Sequence, residues 1–288
     1  MNSPRKAFTL IELLVVAGLM AVMFAMIVAN GRPRPSAIRG AQDFSSALLA
    51  AQSRALGRPE GAAVIIESDG SVYYEADMLP PISLPVTAGT IQAHADLANS
   101  YKLRFRKRVG DGFITISPWL GIKDSLPVRR ELAGQTAANT ILEPPGDGIE
   151  ALVIRTPRVG SAALKVGRGV QMVLEKSGVG DNLAANHGYG SFATAPPGRI
   201  AVTFDQTGRV AEVIQQLGAS TGPEPMAPNE IIYFLFAEAG ETVPLMSERS
   251  VWVAVNPQTG RINVASNEPS SDLVTARTKA RQAIAFGK

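Results

Sequence analysis

A single carboxylate inside a long apolar run constrains this chain more than any other feature. Residues 8–29 carry Glu12 and no other charged side chain, and Arg5 and Lys6 stand just before them. As a helix rising ~1.5 Å per residue, these 22 residues extend about 33 Å, enough to cross a hydrocarbon core of roughly 30 Å. The positive-inside bias holds Arg5 and Lys6 in the cytoplasm and sends the chain beyond Ala29 outward. An ordinary secretory signal has the same order of charge and apolar run, and would leave a mature N-terminus near Ser36. Such a signal has no use for Glu12, because a carboxylate one turn into lipid costs on the order of 3 kcal/mol. A charge kept there asks for a partner.

The residues Phe8-Thr9-Leu10-Ile11-Glu12, preceded by the small Ala7 and followed by apolar residues from Leu13, resemble the prepilin-type cleavage and methylation motif. The resemblance implies that a membrane aspartyl peptidase cuts between Ala7 and Phe8 and methylates the new amine of Phe8. The family pattern usually has Gly before the cut, where this chain has Ala7. The implied partners are other pilin or pseudopilin subunits, the prepilin peptidase, an inner-membrane assembly platform and membrane lipid. Cutting there gives Phe8 an ammonium, which Glu12 of a neighbouring subunit neutralises. Two charges that are each costly in a low-dielectric bundle become tolerable as a pair and set the register between subunits.

With 45% hydrophobic and 18% charged residues over 288 positions, the chain has the apolar content to fold a sizeable core. Its 27 Gly and 20 Pro, with only 6% aromatics, favour many short strands joined by turns. A net charge of +3 is too small to imply nucleic-acid binding by itself. The absence of Cys excludes a disulfide framework and thiolate metal sites. The expected class is α+β and pilin-like: a long N-terminal helix, half transmembrane and half amphipathic, packed on an antiparallel sheet head. The expected divisions are a leader (1–7), a transmembrane helix (8–30), an amphipathic helix (36–57) and an extracytoplasmic head (58–288) with an insertion at about 80–198.

Pro33 and Pro35 break the helix, because proline removes amide donors and restricts the preceding residue. Ser36 then caps a second helix reaching Ala55, with Ile38, Ala41, Phe44, Leu48, Ala51 and Ala55 on one face. Residues 62–67 and 72–75 form a hairpin around Asp69-Gly70, and 101–106 pairs with 112–117. Further strands are expected at 151–155, 170–175, 200–204, 209–214, 231–236, 251–255 and 262–265. The turns Asp205-Gln206-Thr207-Gly208 and Asn256-Pro257-Gln258-Thr259-Gly260 close two of these hairpins. A terminal amphipathic helix from Ser271 or Asp272 to about Ala285 places Leu273, Ala276, Ala280 and Ile284 on its apolar face. The helix ending Gln52-Ser53-Arg54-Ala55-Leu56, with Ala63-Val64-Ile65-Ile66, Ser250-Val251-Trp252-Val253-Ala254-Val255 and Thr259-Gly260-Arg261-Ile262, resembles the H-type minor pseudopilin of type II secretion systems and its FimT-like pilus relative. That resemblance implies a minor subunit of a type II secretion pseudopilus or a type IV pilus.

No residue pattern points to catalysis. His94 beside Asp96 reads as a loop histidine, His187 has no ligating neighbours at metal spacing, and no Gly-x-Ser-x-Gly elbow is present. Gly178 to Asn182 and Gly188 to Gly190 match no phosphate-binding fingerprint and read as a Gly-rich loop. Neither a cofactor nor a metal is therefore expected. The alternative function is a membrane-anchored binding module. FimT-like minor pilins include DNA-binding members, and the candidate phosphate contacts here are Lys102, Arg104, Arg106, Lys107 and Arg108, with Arg277, Lys279 and Arg281 on the last helix. Strand alternation explains Lys102, Arg104 and Arg106 more simply as a solvated face, so DNA is not counted among the partners.

Overall fold

Alternating apolar residues punctuated by Asx and glycine turns make antiparallel strands the main regular structure of the described residues. The computed structural model describes residues 20, 23, 37–80, 86–87, 101–109, 112–115, 117–121, 141–142, 149–181, 191–193, 197–217 and 223–286. In chain order these form α1 (Ala37–Ala55), β1 (Ala62–Ile66), β2 (Val72–Asp77), β3 (Val86–Thr87), β4 (Tyr101–Val109), β5 (Gly112–Thr115), β6 (Leu120–Gly121), β7 (Ile141–Leu142) and β8 (Ile149–Arg155). They continue with β9 (Arg158–Val159), β10 (Leu164–Lys165), β11 (Val170–Met172), β12 (Gly178–Val179), β13 (Arg199–Phe204), β14 (Val210–Leu217) and β15 (Glu224–Met226). Last come β16 (Ile232–Glu238), a 3-10 turn (Pro244–Met246), β17 (Val251–Val255), β18 (Ile262–Ser266), α2 (Leu273–Ala276) and α3 (Thr278–Phe286). The chain is thus α+β and mostly sheet. The expected transmembrane segment lies outside the described residues except for Met20 and Met23, which are helical and exposed.

Two principal sheets share one helix. The first runs β10-β2-β1-β13-β14-β15, with β9 also on β2, and the second runs β11-β16-β17-β18, with β12 also on β16. A third sheet has β4 at its centre, β8 along one side and β5 and β6 along the other, and β3 pairs with β7. The stretch 80–198 therefore supplies the whole third sheet and also edge strands of both principal ones. All the expected hairpins form within the described residues, including β1 on β2, β4 on β5, β13 on β14 and β17 on β18.

Every residue of β1 and β17 is buried, as in a strand covered on both faces. One face of the first and second sheets packs on α1, in a cluster joining Phe44 and Leu48 to Val64, Val202, Phe234 and Val253. Behind the first sheet, Ala63, Ile65, Ala201 and Ile214 meet Ile154 of the third. Behind the second sheet, Tyr233, Leu235, Trp252 and Ala254 meet Ala276, Ala280 and Ile284 of the terminal helices.

Three expectations are corrected. Ile38 is 48% exposed rather than core-facing. The buried stripe of α1 is centred on Phe44, Leu48, Ala51 and Ala55 and draws in Gly40, whose missing side chain leaves room for Val170 and Phe236. At 100° per residue, Ile38 falls well off that centre. The strand expected over 170–175 stops at Met172, because the amides of Lys176 and Ser177 both turn back to the Val173 carbonyl. The terminal helix is interrupted at Arg277, which closes the short α2 with its amide bonded to Leu273 and Thr275 before α3 begins.

Candidate functional site

The element that leads from the N-terminal run into the head is α1, and its seating is the best defined feature of the site. Phe44 packs edge-on against Tyr73 at 5.2 Å and Phe234 at 5.0 Å, one ring from each principal sheet. Aromatic pairs of this geometry contribute about 0.5–1.5 kcal/mol each beyond area burial. Burial, reinforced by the carboxylates of Asp43 and Glu75, pushes the Tyr73 phenol up to about 12. Toward the helix end, the Arg54 guanidinium pairs with Glu75 at 3.0 Å and approaches Asp77 at 3.8 Å, tying α1 to β2.

Gln52 completes the seat. Its Nε2 donates to the carbonyl oxygens of Gly208 at 2.7 Å and Gly260 at 2.9 Å, one at the tip of the β13-β14 hairpin and the other at the tip of β17-β18. Gly208 and Gly260 both have positive φ, +78° and +69°, a conformation only glycine adopts freely. A Cβ on Gly260 would also collide with the Gly208 carbonyl and with Gln52 Nε2. Sequence reasoning missed this junction. Its available signal was a pair of Asx-initiated turns, each ending in Gly, with an amide side chain beside the apolar stripe of the helix.

The basic strand β4 carries Lys102, Arg104, Arg106, Lys107 and Arg108. Lys107 is exposed, whereas Lys102, Arg104 and Arg106 are half-buried. The expected fully solvated face is corrected here. Lys102 pairs across the ladder with Ile154, which is buried against the first sheet, so the three basic residues occupy the face turned toward that sheet. The Arg104 guanidinium lies 4.4 Å from the centroid of the Trp119 ring, in cation–π contact. Tyr101, Leu103 and Phe105 are fully buried on the opposite face. The third sheet is held to the first by Arg155, whose Nη1 donates to the carbonyls of Glu60 and Leu79, both at 2.9 Å.

The basic residues on the terminal helix are engaged within the fold. Arg277 is completely buried. It donates to the backbone carbonyls of Gly180 and, at 2.8 Å, Lys176, and it stacks 4.3 Å over the Tyr233 ring and 5.1 Å over Trp252. Burial lowers its guanidinium to about 10, which still leaves it charged at neutral pH. Lys279 pairs with Glu268 at 2.8 Å and Arg281 with Asp181 at 3.4 Å. The signal for Arg277 was in its spacing: it stands four residues after Leu273 and seven before Ile284, within the apolar stripe.

Among the described residues there is no grouping of three His, Cys, Asp or Glu placed to hold a metal ion, and no helix long and apolar enough to cross a membrane. His94, His187, Arg5, Lys6, Ala7, Phe8 and Glu12 lie outside the described residues. No curated protein and no solved structure matches the chain. Residues 2–28 match the family model of the prokaryotic N-terminal methylation motif, which supports a prepilin-type family for a chain that carries this segment ahead of α1.

Proposed function

We propose that this chain is a minor pilin or pseudopilin subunit, inserted in the cytoplasmic membrane with its C-terminal domain outside, cut between Ala7 and Phe8 and methylated at Phe8. It then joins a type II secretion pseudopilus or type IV pilus-like filament, where its role is structural. The observation that carries this reading is the methylation-motif match over residues 2–28, followed from Ala37 by an amphipathic helix seated across two antiparallel sheets. The head is seated firmly on α1, so it moves with that helix, as a filament subunit requires.

Glu12 has the central assembly role in this reading, neutralising the Phe8 ammonium of an adjacent subunit. Arg5 and Lys6 set the orientation before cleavage. The test is Glu12→Ala in the full chain, expressed with its peptidase and assembly platform. Cleavage and membrane insertion persist while recovery in sheared filaments falls. Filament recovery equal to that of the parent chain would remove the charge-pairing mechanism.

A further inference from the structure

The two ends of α1 lie at opposite ends of the second sheet. Near its start, Gly40 lies against Phe236 and Val170, and near its finish Gln52 reaches the Gly260 carbonyl. The loop that joins β16 to β17, residues 239–250, is therefore at the end where α1 begins. From Phe236, β16 continues ~6.6 Å to Glu238, whereas α1 starts only ~4.5 Å before Gly40. The loop thus leaves the sheet at about the level of the first residue of the helix.

This loop presents an apolar pair. Pro244–Met246 forms the 3-10 turn, and the Met246 amide donates to Val243 O at 3.0 Å. Residues three apart share one side of such a turn. Val243 and Met246 are each 52% exposed, while Leu245 between them is buried with Trp252 and Ala276. The turn is pinned from behind: the Asn267 side-chain amide donates to Leu245 O at 2.7 Å and Ser247 O at 3.1 Å, and Trp252 Nε1 donates to Asn267 Oδ1 at 2.9 Å. With Leu245 fixed inward, the side chains on either side of it are held outward. The other described turns at this end, Glu67-Ser68-Asp69-Gly70-Ser71 and Gly167-Arg168-Gly169, are polar.

We propose that Val243 and Met246 rest on the surface of the bilayer in which residues 8–29 are anchored, as a second point of attachment that sets which way the head faces before the subunit enters a filament. This inference rests on the membrane-anchor reading proposed above. The tether selects a bilayer as the occupant. Residues 30–36 span at most about 25 Å when fully extended, so the end of the head that carries this loop is held within that distance of the membrane. Two apolar side chains alone bind lipid negligibly, but a short tether makes the contact intramolecular and raises its effective concentration. The exposed charges at this end are of both signs, Asp69 and Glu248 with Lys165 and Arg168, and Arg249 pairs with Glu238 at 3.4 Å. No net charge draws this end to lipid, and the contact depends on burying the apolar pair at the headgroup boundary. A contact this small also releases readily when the subunit is extracted.

The chain has no cysteine, so Val243→Cys, Met246→Cys and Gln258→Cys each provide a single thiol for a fluorophore. Gln258 is exposed in the turn between β17 and β18, at the opposite end of the second sheet, and serves as the control. In the full chain reconstituted into phosphatidylcholine vesicles that carry a lipid-borne quencher, the labels at 243 and 246 are quenched at least about threefold more than the label at 258. Equal quenching at the three positions, in chains that co-float with the vesicles, overturns this inference and leaves the anchor reading standing. Shielding of 243 and 246 that appears only as the protein-to-lipid ratio rises assigns the pair to another copy of the chain and overturns it as well. A chain that does not co-float contradicts the anchor reading and takes this inference with it.

Discussion

Gln52 donates through one side-chain nitrogen to the Gly260 carbonyl, 2.9 Å away across the helix–sheet boundary, and the same nitrogen reaches Gly208 at 2.7 Å. One helix amide thereby joins the hairpin tips of both principal sheets beneath the helix that enters the head. Two carbonyls held by one donor lose both bonds together when that donor is removed.

Gln52→Leu should cost about 1–3 kcal/mol, because it leaves part-buried acceptors without their donor. Gly260→Ala should cost more, since it combines strain at φ +69° with a collision against the Gly208 backbone. Denaturant unfolding of each variant checks both the loss and its order. A Gly260→Ala midpoint equal to the parent would contradict the packing of the two turns.

Arg277 supplies a second, independent lock. Arg277→Ala leaves the Gly180 and Lys176 carbonyls unpaired and a gap against Tyr233 and Trp252, for an expected loss of about 3–5 kcal/mol. Arg277→Lys should recover only part of it, because an ammonium lacks the planar fork that stacks and reaches two carbonyls at once. Trp252 fluorescence during unfolding reports on the same site.

Tyr73 makes the fold sensitive to alkali. Its phenol is pushed from 10.0 up to about 12 by burial and two nearby carboxylates, so the folded state holds its proton more tightly than the unfolded chain does. The resulting stability is complete below pH 10 and is lost as pH rises from there through about 12. Tyr73→Phe should show a smaller stability loss between neutral pH and the alkaline end of that window, measured by unfolding at each pH.

Much of the head was legible because its signals are local. The period of Phe44, Leu48, Ala51 and Ala55 marks α1, and Asp205 announces its turn by accepting the amides of Thr207 at 2.8 Å and Arg209 at 3.1 Å. What stayed hidden depends on partners distant in sequence. Ile38 is apolar yet exposed, since facing is decided by where Gly40 meets Val170. Arg277 looked like a surface cation because its acceptors lie about 100 residues earlier, at Lys176 and Gly180. Likewise, the basic alternation of β4 gave no hint that the face holding Ile154 would turn toward the first sheet.

The proposal of a processed filament subunit rests on residues 2–28, which match the methylation motif. The most direct measurement is the intact mass and N-terminal residue of the membrane-extracted protein from cells containing the peptidase. A processed subunit will have lost residues 1–7, begin at Phe8 and carry one added methyl group. A chain that keeps its first residues, or one that begins near Ser36 without the apolar segment, would contradict it.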